Sequence, residues 1–383
     1  MPLYLPPELI ENIIDQINDG KTQAACSLTC RAWAPIAQSI YFRNLHLGSS
    51  SDEVTRFLEM IHGSPHIALL PRSIILFIES DRMSGVDDGT YLAQLAPLLT
   101  NLLRLSICEL SSSSPSVRRI AKALFPSLRE LHFTGCTAEL HIISSFFQSH
   151  PTLRTLSFCG GGVTSKINQD QDLLPLRQLQ HFDVSCWTDF PLSLLVPLLV
   201  NSAGPLAPIE RLELVNLSGG DAASVCTLIS GLRHILRVLR INPLWLQSKY
   251  GGTSISLNLL PWDDWIVDFI KCVPLEHLSA LRELIIAHIA FGTRRLLWVT
   301  LLLQKVQTTG TVETIRFQMS FFKTTNIQGL DWDTIKTILM AMPCLRVVEF
   351  ELHGGDPTSK MKPIVQGKLE GIERKCILRV SGQ

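Results

Sequence analysis

One short pattern recurs along most of this chain and restricts what the chain can fold into. The pattern is Leu-x-x-Leu-x-Leu, in which other apolar residues can replace leucine. Its copies are Leu102/Leu105/Ile107, Leu128/Leu131/Phe133, Leu153/Leu156/Phe158, Leu179/Phe182/Val184, Ile209/Leu212/Leu214, Leu236/Leu239/Ile241, Leu281/Leu284/Ile286, Val312/Ile315/Phe317 and Leu345/Val348/Phe350, with an earlier one at Ile74/Leu76/Ile78. Apolar residues at i and i+2 lie on one face of a β-strand. The pattern therefore predicts about ten short strands that each bury one face.

The segments between these copies have the apolar spacing of helices. We predict helices over Ser116–Phe125, Glu139–Ser149, Leu192–Asn201, Ala222–Leu232, Asp263–Val273, Arg294–Gln307 and Thr334–Met342. Several of these segments end just before a proline, a position that disfavours helix. Strands and helices thus alternate, and each repeat buries its apolar face only against its neighbours. The expected fold class is an α/β solenoid with parallel strands.

The repeat length points to a known class of solenoid. Counted from Leu102, the first three steps between copies are 26, 25 and 26 residues, and leucine-rich repeats have about 20–29 residues. The pattern resembles leucine-rich repeats over residues 70–353. The resemblance implies a horseshoe of parallel strands. Because a later step reaches 45 residues, we expect an irregular horseshoe of about ten repeats, followed by a C-terminal cap.

The first 47 residues lack the repeat pattern and predict three short helices. Pro6 and Pro7 suit the first turn of a helix, where the missing N–H has no partner to lose. The apolar residues that follow recur at helical spacing and predict one apolar face, made of Leu9, Ile10, Ile13, Ile14 and Ile17. Asn18, Asp19 and Gly20 are expected to stop this helix. A second helix is predicted from about Thr22 to Cys30, with Ala25, Cys26 and Leu28 available for burial. A third is predicted over residues 31–40, with a break or restart at Pro35.

Three segments of this region carry a family resemblance. They are Leu5-Pro6-Pro7-Glu8-Leu9-Ile10, Cys26-Ser27-Leu28-Thr29-Cys30-Arg31-Ala32-Trp33 and Tyr41-Phe42-Arg43. In this order and spacing they resemble the F-box motif, especially its fungal form. Thr29 departs mildly from the family, in which Val or Ser is common at that position. The resemblance predicts an F-box-like helical module over residues 1–47 and an irregular leucine-rich-repeat domain over residues 48–383.

The resemblance implies that the module binds a Skp-type adaptor and, through it, a cullin. The chain would then be the substrate-recognition subunit of an SCF-type cullin–RING ubiquitin ligase. The residues expected to face the adaptor are Leu5, Pro6, Glu8, Leu9, Ile13, Leu28 and Cys30. Trp33 is expected to fix the module internally or to tie it to the next domain. The alternative is a non-catalytic repeat scaffold for protein–protein interaction, whose N-terminal helices only cap the solenoid.

A target protein is expected to bind the outward residues of the strands, which alternate with the buried apolar residues. The target-binding candidates are Arg104, Glu130, His132, Arg154, Ser157, Glu213, Arg240 and Glu283, to which Ser106, Thr155, Arg316 and Glu349 can be added. They mix both signs of charge. The sequence therefore does not identify the target.

No pattern in the sequence points to catalysis, a cofactor or a metal ion. Cys26 and Cys30 lie four residues apart, but the chain offers no second pair at zinc-ligand spacing, which favours a core role. Gly160-Gly161-Gly162 lacks the lysine of a phosphate-binding loop. Trp262-Asp263-Asp264-Trp265 could project as a binding insertion, but a helix cap with inward tryptophans is favoured. We expect a protein that is not an enzyme.

Charge and hydropathy restrict partners and location. The 34 Lys and Arg residues balance 34 Asp and Glu residues, whereas nucleic-acid-binding proteins normally carry a basic surplus. The apolar run from Leu296 to Leu303 is shorter than the roughly 20 residues of a membrane helix. The first residues do not have the pattern of a secretory signal. These features predict a cytoplasmic or nuclear protein that is monomeric outside its complex and binds neither nucleic acid nor membrane.

Overall fold

A computed structural model describes most of the chain. The described residues are 5–17, 19–48, 51–77, 93–108, 115–135, 137–160, 162–164, 176–185, 192–201, 204–215, 222–242, 262–290, 296–321, 330–354 and 358–382. The chain forms two compact units. The first comprises Met1–Leu156 and Thr164–Asp172, and the second comprises Ser157–Val163 and Leu173–Gln383.

After the first three helices, strands and helices alternate along the chain. The helices in the described residues are α1 (Pro7–Asp15), α2 (Gly20–Thr29), α3 (Ala34–Arg43), α4 (Ser51–Gly63), α5 (Pro115–Lys122), α6 (Leu140–Ser149), α7 (Leu192–Leu199), α8 (Ala222–Gly231), α9 (Trp262–Cys272), α10 (Leu297–Gln307), α11 (Trp332–Ala341) and α12 (Thr358–Lys368). The strands are β1 (Asn44–Leu47), β2 (Ser73–Phe77), β3 (Arg104–Cys108), β4 (Glu130–Thr134), β5 (Thr137–Glu139), β6 (Thr155–Cys159), β7 (Gly162–Thr164), β8 (His181–Ser185), β9 (Val200–Asn201), β10 (Gly204–Pro205), β11 (Arg211–Val215), β12 (Val238–Asn242), β13 (Glu283–Ala290), β14 (Thr314–Phe321), β15 (Val347–Gly354) and β16 (Ile377–Gly382).

The first unit begins with the three-helix module. Pro7 lies in the first turn of α1, where its missing N–H has no partner to lose. Asp19 caps α2, because its carboxylate accepts hydrogen bonds from the backbone N–H groups of Lys21 and Thr22 at 3.3 and 2.9 Å. Pro35 lies in the first turn of α3. The predicted break at this proline is therefore the beginning of the third helix.

The first unit continues with parallel strands. β1, β2, β3 and β4 lie side by side, and each pairs with the next along the chain. The register aligns Leu45, Ile74, Leu105 and Leu131 across these strands. Ile74, Leu105 and Leu131 are buried. Helix α4 joins β1 to β2 and helix α5 joins β3 to β4, since parallel neighbours need a crossover connection.

The second unit contains a longer parallel series. β8, β11, β12, β13, β14, β15 and β16 follow one another as paired neighbours. β6 begins in the first unit and ends in the second. Aligned apolar side chains pack within the core of the second unit. Phe317 and Phe350 stack with ring centroids 4.6 Å apart, and Trp332 of α11 lies 5.9 Å from Phe350. Such stacked rings add dispersion energy to the burial of the two strands.

The predicted α/β class with parallel strands is confirmed, and so are the positions of nine of the ten strands. Each apolar residue of the nine triplets from Leu102 to Phe350 is at most 3 % exposed. The tenth triplet is assigned wrongly, because Ile74 occupies the second position of its triplet and not the first. Because Ile74 aligns with Leu105, the equivalent triplet is Pro71/Ile74/Leu76. Ile78 lies outside the described residues.

All seven predicted helices are present, with ends shifted by up to three residues. The pattern did not predict α4, α12 or the two outermost strands, β1 and β16. The boundary after residue 47 stays a prediction, although Asn44–Leu47 pairs with β2 as part of the sheet. The F-box identity of the helices and the leucine-rich-repeat horseshoe also stay predictions.

Candidate functional site

Exposed apolar side chains are concentrated on the first two helices of the first unit. Leu9 and Ile13 of α1 are 49 % and 48 % exposed, and Leu28 of α2 is 87 % exposed. Leu5, just before α1, is 41 % exposed. We call Leu5, Leu9, Ile13 and Leu28 the helical apolar surface. Exposed large apolar side chains are candidates for a protein-binding site.

The apolar face of helix α1 consists of two adjacent rows, of which only one is buried. Ile10 and Ile14 are buried, with Ile14 fully inaccessible. Residues four apart lie on one side of a helix, so Ile10 and Ile14 face inward together, and Leu9 and Ile13 form a second row beside them. The predicted single apolar face is therefore present, but only one row of it is buried within the module. The row that the module does not need for its own core is the exposed one.

The buried row of α1 anchors a small core within the module. Ile10 and Ile14 pack with Cys26 of α2 and with Ala37 and Ile40 of α3. Partly buried apolar residues pack against this cluster, namely Ile17, Trp33 and Ile36. The interpretation of Trp33 as an internal anchor of the module is thus confirmed. Of the α2 residues available for burial, only Cys26 is buried, and Ala25 and Leu28 are exposed.

Polar contacts fix the helices that carry the apolar surface. The Arg43 guanidinium of α3 lies 3.1 Å from Glu11 and 3.5 Å from Asp15 of α1. Gln23 of α2 donates a hydrogen bond from Nε2 to the Ile17 carbonyl at 2.6 Å. Hydrogen bonds from the hydroxyl and backbone of Thr22 and the backbone of Lys21 lower the pKa of the Asp19 carboxyl. The surface is therefore preorganised, which reduces the entropy lost on binding.

The structure leaves all seven predicted adaptor-facing residues accessible. Besides the helical apolar surface, these are Pro6, Glu8 and Cys30, each of which is exposed. Cys26 is buried in the module core, whereas Cys30 is exposed. The predicted core role therefore applies to Cys26 and is wrong for Cys30.

A second candidate site, which is polar, lies on the strands of the second unit around the buried carboxylate of Glu213. It accepts hydrogen bonds from Arg211 Nε at 2.7 Å and Arg240 Nη1 at 2.8 Å. The His181 ring Nε2 lies 3.2 Å from the same carboxylate. Burial alone would raise the pKa of Glu213, but the hydrogen bonds from His181, Arg240 and Arg211 outweigh burial and hold the pKa far below its usual value. Glu213 is thus a fixed negative charge.

The pKa of Asp183 is shifted in the opposite direction from that of Glu213, although the two residues lie directly beside each other in the strand register. Its Oδ2 accepts a hydrogen bond from Ser157 Oγ at 2.8 Å. Burial raises the pKa of Asp183, and the neighbouring charge of Glu213 raises it further. Two adjacent carboxyl groups thus have pKa values shifted in opposite directions. A protonated Asp183 can donate a hydrogen bond where an ionised one only accepts.

The polar network extends along the same series of strands. Arg240 Nη2 donates to Gln318 Oε1 at 2.9 Å, and Gln318 Nε2 donates to Glu351 Oε2 at 2.7 Å. Arg316 Nε lies 2.9 Å from Glu349 and 3.4 Å from Glu351. Arg316 Nη2 lies 3.4 Å from Glu283. These contacts hold the outward side chains of the strands in one arrangement.

The predicted target-binding residues differ in accessibility. Ser157 and Glu213 are each only 5 % exposed, so they support neighbouring side chains rather than offering a free surface. In the first unit, Arg104 Nε lies 2.6 Å from Glu130, and His132 lies 3.4 Å from the same carboxylate. Hydrogen bonds from His132 and Arg104, opposed by burial, lower the pKa of Glu130 to about 2. Arg154 was predicted to be an outward strand residue, but it lies just before β6.

Asp183 and Gln318 were absent from the predicted site. Both occupy outward positions beside buried apolar residues, so the same alternation contained the signal. What the sequence lacked was any indication of which outward residues contact one another across strands that are far apart in the chain. The side chains of residues 262–266, including both tryptophans of the Trp262–Trp265 segment, lie outside the described residues, as does Gly161.

Within the described part of the chain, no three His, Cys, Asp or Glu side chains come together as a metal site. Every helix of that part is too short or too polar to cross a lipid bilayer. Compared with known proteins, the chain matches no family model and no curated sequence.

Proposed function

We propose that this chain is the substrate-recognition subunit of an SCF-type cullin–RING ubiquitin ligase. The three-helix module docks a Skp-type adaptor and thereby a cullin, and the strand-bearing part of the chain holds a target protein. The chain performs no bond chemistry itself, and its contribution is proximity between target and ligase. The corresponding location is the cytoplasm or the nucleus.

The observation that carries the proposal is the helical apolar surface. Leu9 and Ile13 lie outside the core of the module on an exposed side of α1, and Leu5 just before this helix is exposed as well. Exposing apolar side chains to water costs free energy of about 25 cal/mol per Å². A partner that covers them recovers this energy. The F-box resemblance of the same residues assigns the partner to the Skp-type adaptors.

The adaptor half is tested by measuring the affinity of the full chain for a purified Skp-type adaptor. Leu9→Glu should weaken binding at least about tenfold, because a charge then enters an apolar contact. The matched control is Leu69→Glu, since Leu69 is also 49 % exposed and belongs to the same unit. The control should bind within about twofold of wild type. An adaptor that does not bind wild type, or that binds both variants equally, contradicts the proposal.

The target half is supported by the polar residues of the second unit. Arg240, Gln318 and Arg316 are partly accessible and are held by hydrogen bonds and ion pairs. A preorganised polar surface suits selective binding, because a mismatched partner leaves its polar groups without hydrogen bonds. Crosslinking the chain to a captured target should therefore modify residues next to these side chains.

A second candidate function is a scaffold in which the three helices only cap the repeats. It is favoured by the contacts between α3 and the following structure: the Phe42 and Phe57 rings lie 6.5 Å apart, and the Arg43 carbonyl accepts a hydrogen bond from Arg72 N. This function predicts that removing residues 1–43 unfolds or aggregates the remainder. Adaptor docking predicts that the deletion abolishes adaptor binding and mostly spares the fold, as judged by circular dichroism.

A further inference from the structure

Arginine recurs at one backbone position in the first unit, directly before a strand. Arg43 precedes β1 and is paired with Glu11 and Asp15 of α1. The other three are Arg72 before β2, Arg129 before β4 and Arg154 before β6. We call these three residues the arginine row. The corresponding position before β3 is Leu103, which aligns with Arg72 on one side and Arg129 on the other.

Hydrogen bonds fix the backbone of the arginine row. The Arg72 carbonyl accepts from the N–H groups of Leu103 and Arg104 at 2.9 and 3.0 Å. The Arg129 carbonyl accepts from Arg154 and Thr155 at 2.7 and 2.9 Å. Neighbouring parallel strands are about 4.8 Å apart. The Cα atoms of Arg129 and Arg154 are therefore about 5 Å apart, and Arg72 lies about 10 Å from Arg129.

The positive charge of the row is not neutralised locally. Among the described residues, no carboxylate forms an ion pair with Arg72, Arg129 or Arg154, in contrast to Arg43 and Arg104 of the same unit. Among the same residues, the Arg154 guanidinium donates only to the Pro151 and Leu153 carbonyls, and the Arg72 guanidinium has one long contact, 3.5 Å, to the Asn101 carbonyl.

The segments leading to these strands contribute no acidic residue. Residues 64–72, 93–103, 123–129 and 150–154 contain neither Asp nor Glu. Their hydroxyl, amide and imidazole groups are neutral or cationic. Arg72 and Arg129 are exposed and Arg154 is half-buried. The row is therefore an accessible cationic strip with a fixed spacing.

The same backbone position in the second unit is arranged differently. Arg237 lies 3.5 Å from Glu210, and Arg282 lies 3.2 Å from Glu313. Glu210 and Glu313 themselves precede strands β11 and β14. Arginine before a strand can thus be neutralised by glutamate before a neighbouring one. In the first unit the positions before β1, β2, β3, β4 and β6 are Arg43, Arg72, Leu103, Arg129 and Arg154, so none of them is a glutamate.

We propose that the arginine row binds an extended, carboxylate-rich segment of a partner protein. Side chains on one side of an extended peptide are about 7 Å apart, a spacing that the long arginine side chains at about 5 and 10 Å can meet. Each guanidinium offers a planar pair of donors that fits a carboxylate. The inference goes beyond adaptor docking and does not depend on it, because it uses neither the helical apolar surface nor a ligase.

The test measures binding of a fluorescein-labelled oligoglutamate peptide to the full chain by anisotropy at low ionic strength. The combined variant Arg72→Gln, Arg129→Gln, Arg154→Gln should bind about tenfold more weakly, since exposed ion pairs contribute little individually but add together. The matched control is Arg237→Gln with Arg282→Gln, which removes paired arginines from the same backbone position. The control should change affinity by less than about twofold.

The single variant Arg129→Gln replaces an exposed side chain without a described partner, so it should fold normally and bind about threefold more weakly. Absence of peptide binding to wild type overturns the inference. Equal weakening in the control also overturns it, because the effect would then reflect net charge alone. An oligonucleotide of equal charge that displaces the peptide and binds more tightly assigns the row to nucleic acid and refutes the acidic-peptide assignment.

Discussion

Two adjacent residues of α1 should differ strongly in how much the same truncation destabilises the module. Ile14 is fully buried in the module core, whereas Ile13 is 48 % exposed. Truncating a buried isoleucine to alanine costs about 2–5 kcal/mol, because the transfer energy is lost and a cavity remains. The module is small and its helices can partly close the cavity, so we expect about 2–3 kcal/mol for Ile14→Ala. Full burial of such a side chain contributes about 1.5–3 kcal/mol. Ile13, half-buried and without a cavity term, should cost at most about 1 kcal/mol.

Hydrogen exchange of the amides of α1 and α3, read by mass spectrometry, separates the two variants. A loss of about 2 kcal/mol accelerates exchange through opening of the module about 30-fold. Ile14→Ala should show this acceleration, and Ile13→Ala should remain within about fivefold of wild type. Equal acceleration in the two variants would refute the division of α1 into a buried and an exposed apolar row.

Three further predictions concern other parts of the chain. Burial lowers the pKa of His150 from its ordinary value of 6.5, although hydrogen bonding to the Phe146 and Ala123 carbonyls opposes this shift. On acidification the unfolded chain therefore takes up a proton before the folded chain does, so the free energy of unfolding should be complete above about pH 6.5 and fall below it. Urea titrations of His150→Gln should lack this pH-dependent component. Gly231→Ala should destabilise the second unit by about 1–3 kcal/mol, since the added Cβ would lie 2.5 Å from the Val200 side chain. The control is Gly367→Ala, whose Cβ would meet no atom within 4 Å, and it should be neutral or stabilising in thermal unfolding. Glu213→Gln should cost about 1–3 kcal/mol in the same assay, because its two arginine partners lose a buried carboxylate; an unchanged midpoint would contradict the proposed charge network.

The sequence predicted the strands well because their signal is local. A residue such as Leu131 or Phe133 must be apolar to fit the buried face of a strand, and repetition makes a weak pattern specific. β1 and β16 were missed because they lie at the ends of the series, where fewer neighbours constrain the residues. Ile74 was assigned to the wrong position of its triplet because the first position is Pro71, whereas every other triplet begins with an aliphatic residue.

The sequence was less informative about the sites. Helical spacing groups Leu9 with Ile13 and Ile10 with Ile14, and spacing alone cannot tell which pair the rest of the module buries. The contact between Arg240 and Gln318 joins residues 78 positions apart in the chain. No local pattern encodes such a contact. The arginine row was also not predicted, since its residues are aligned only by the strand register.

The proposed function depends on docking of a Skp-type adaptor to the helical apolar surface. Its most direct test is hydrogen exchange of the full chain with and without saturating adaptor. We predict slower exchange confined to Pro7–Asp15, Gly20–Thr29 and the residues that join them, with the strands of the second unit unchanged. Unchanged exchange in both helices, or protection elsewhere without protection in α1 and α2, would contradict the proposed docking.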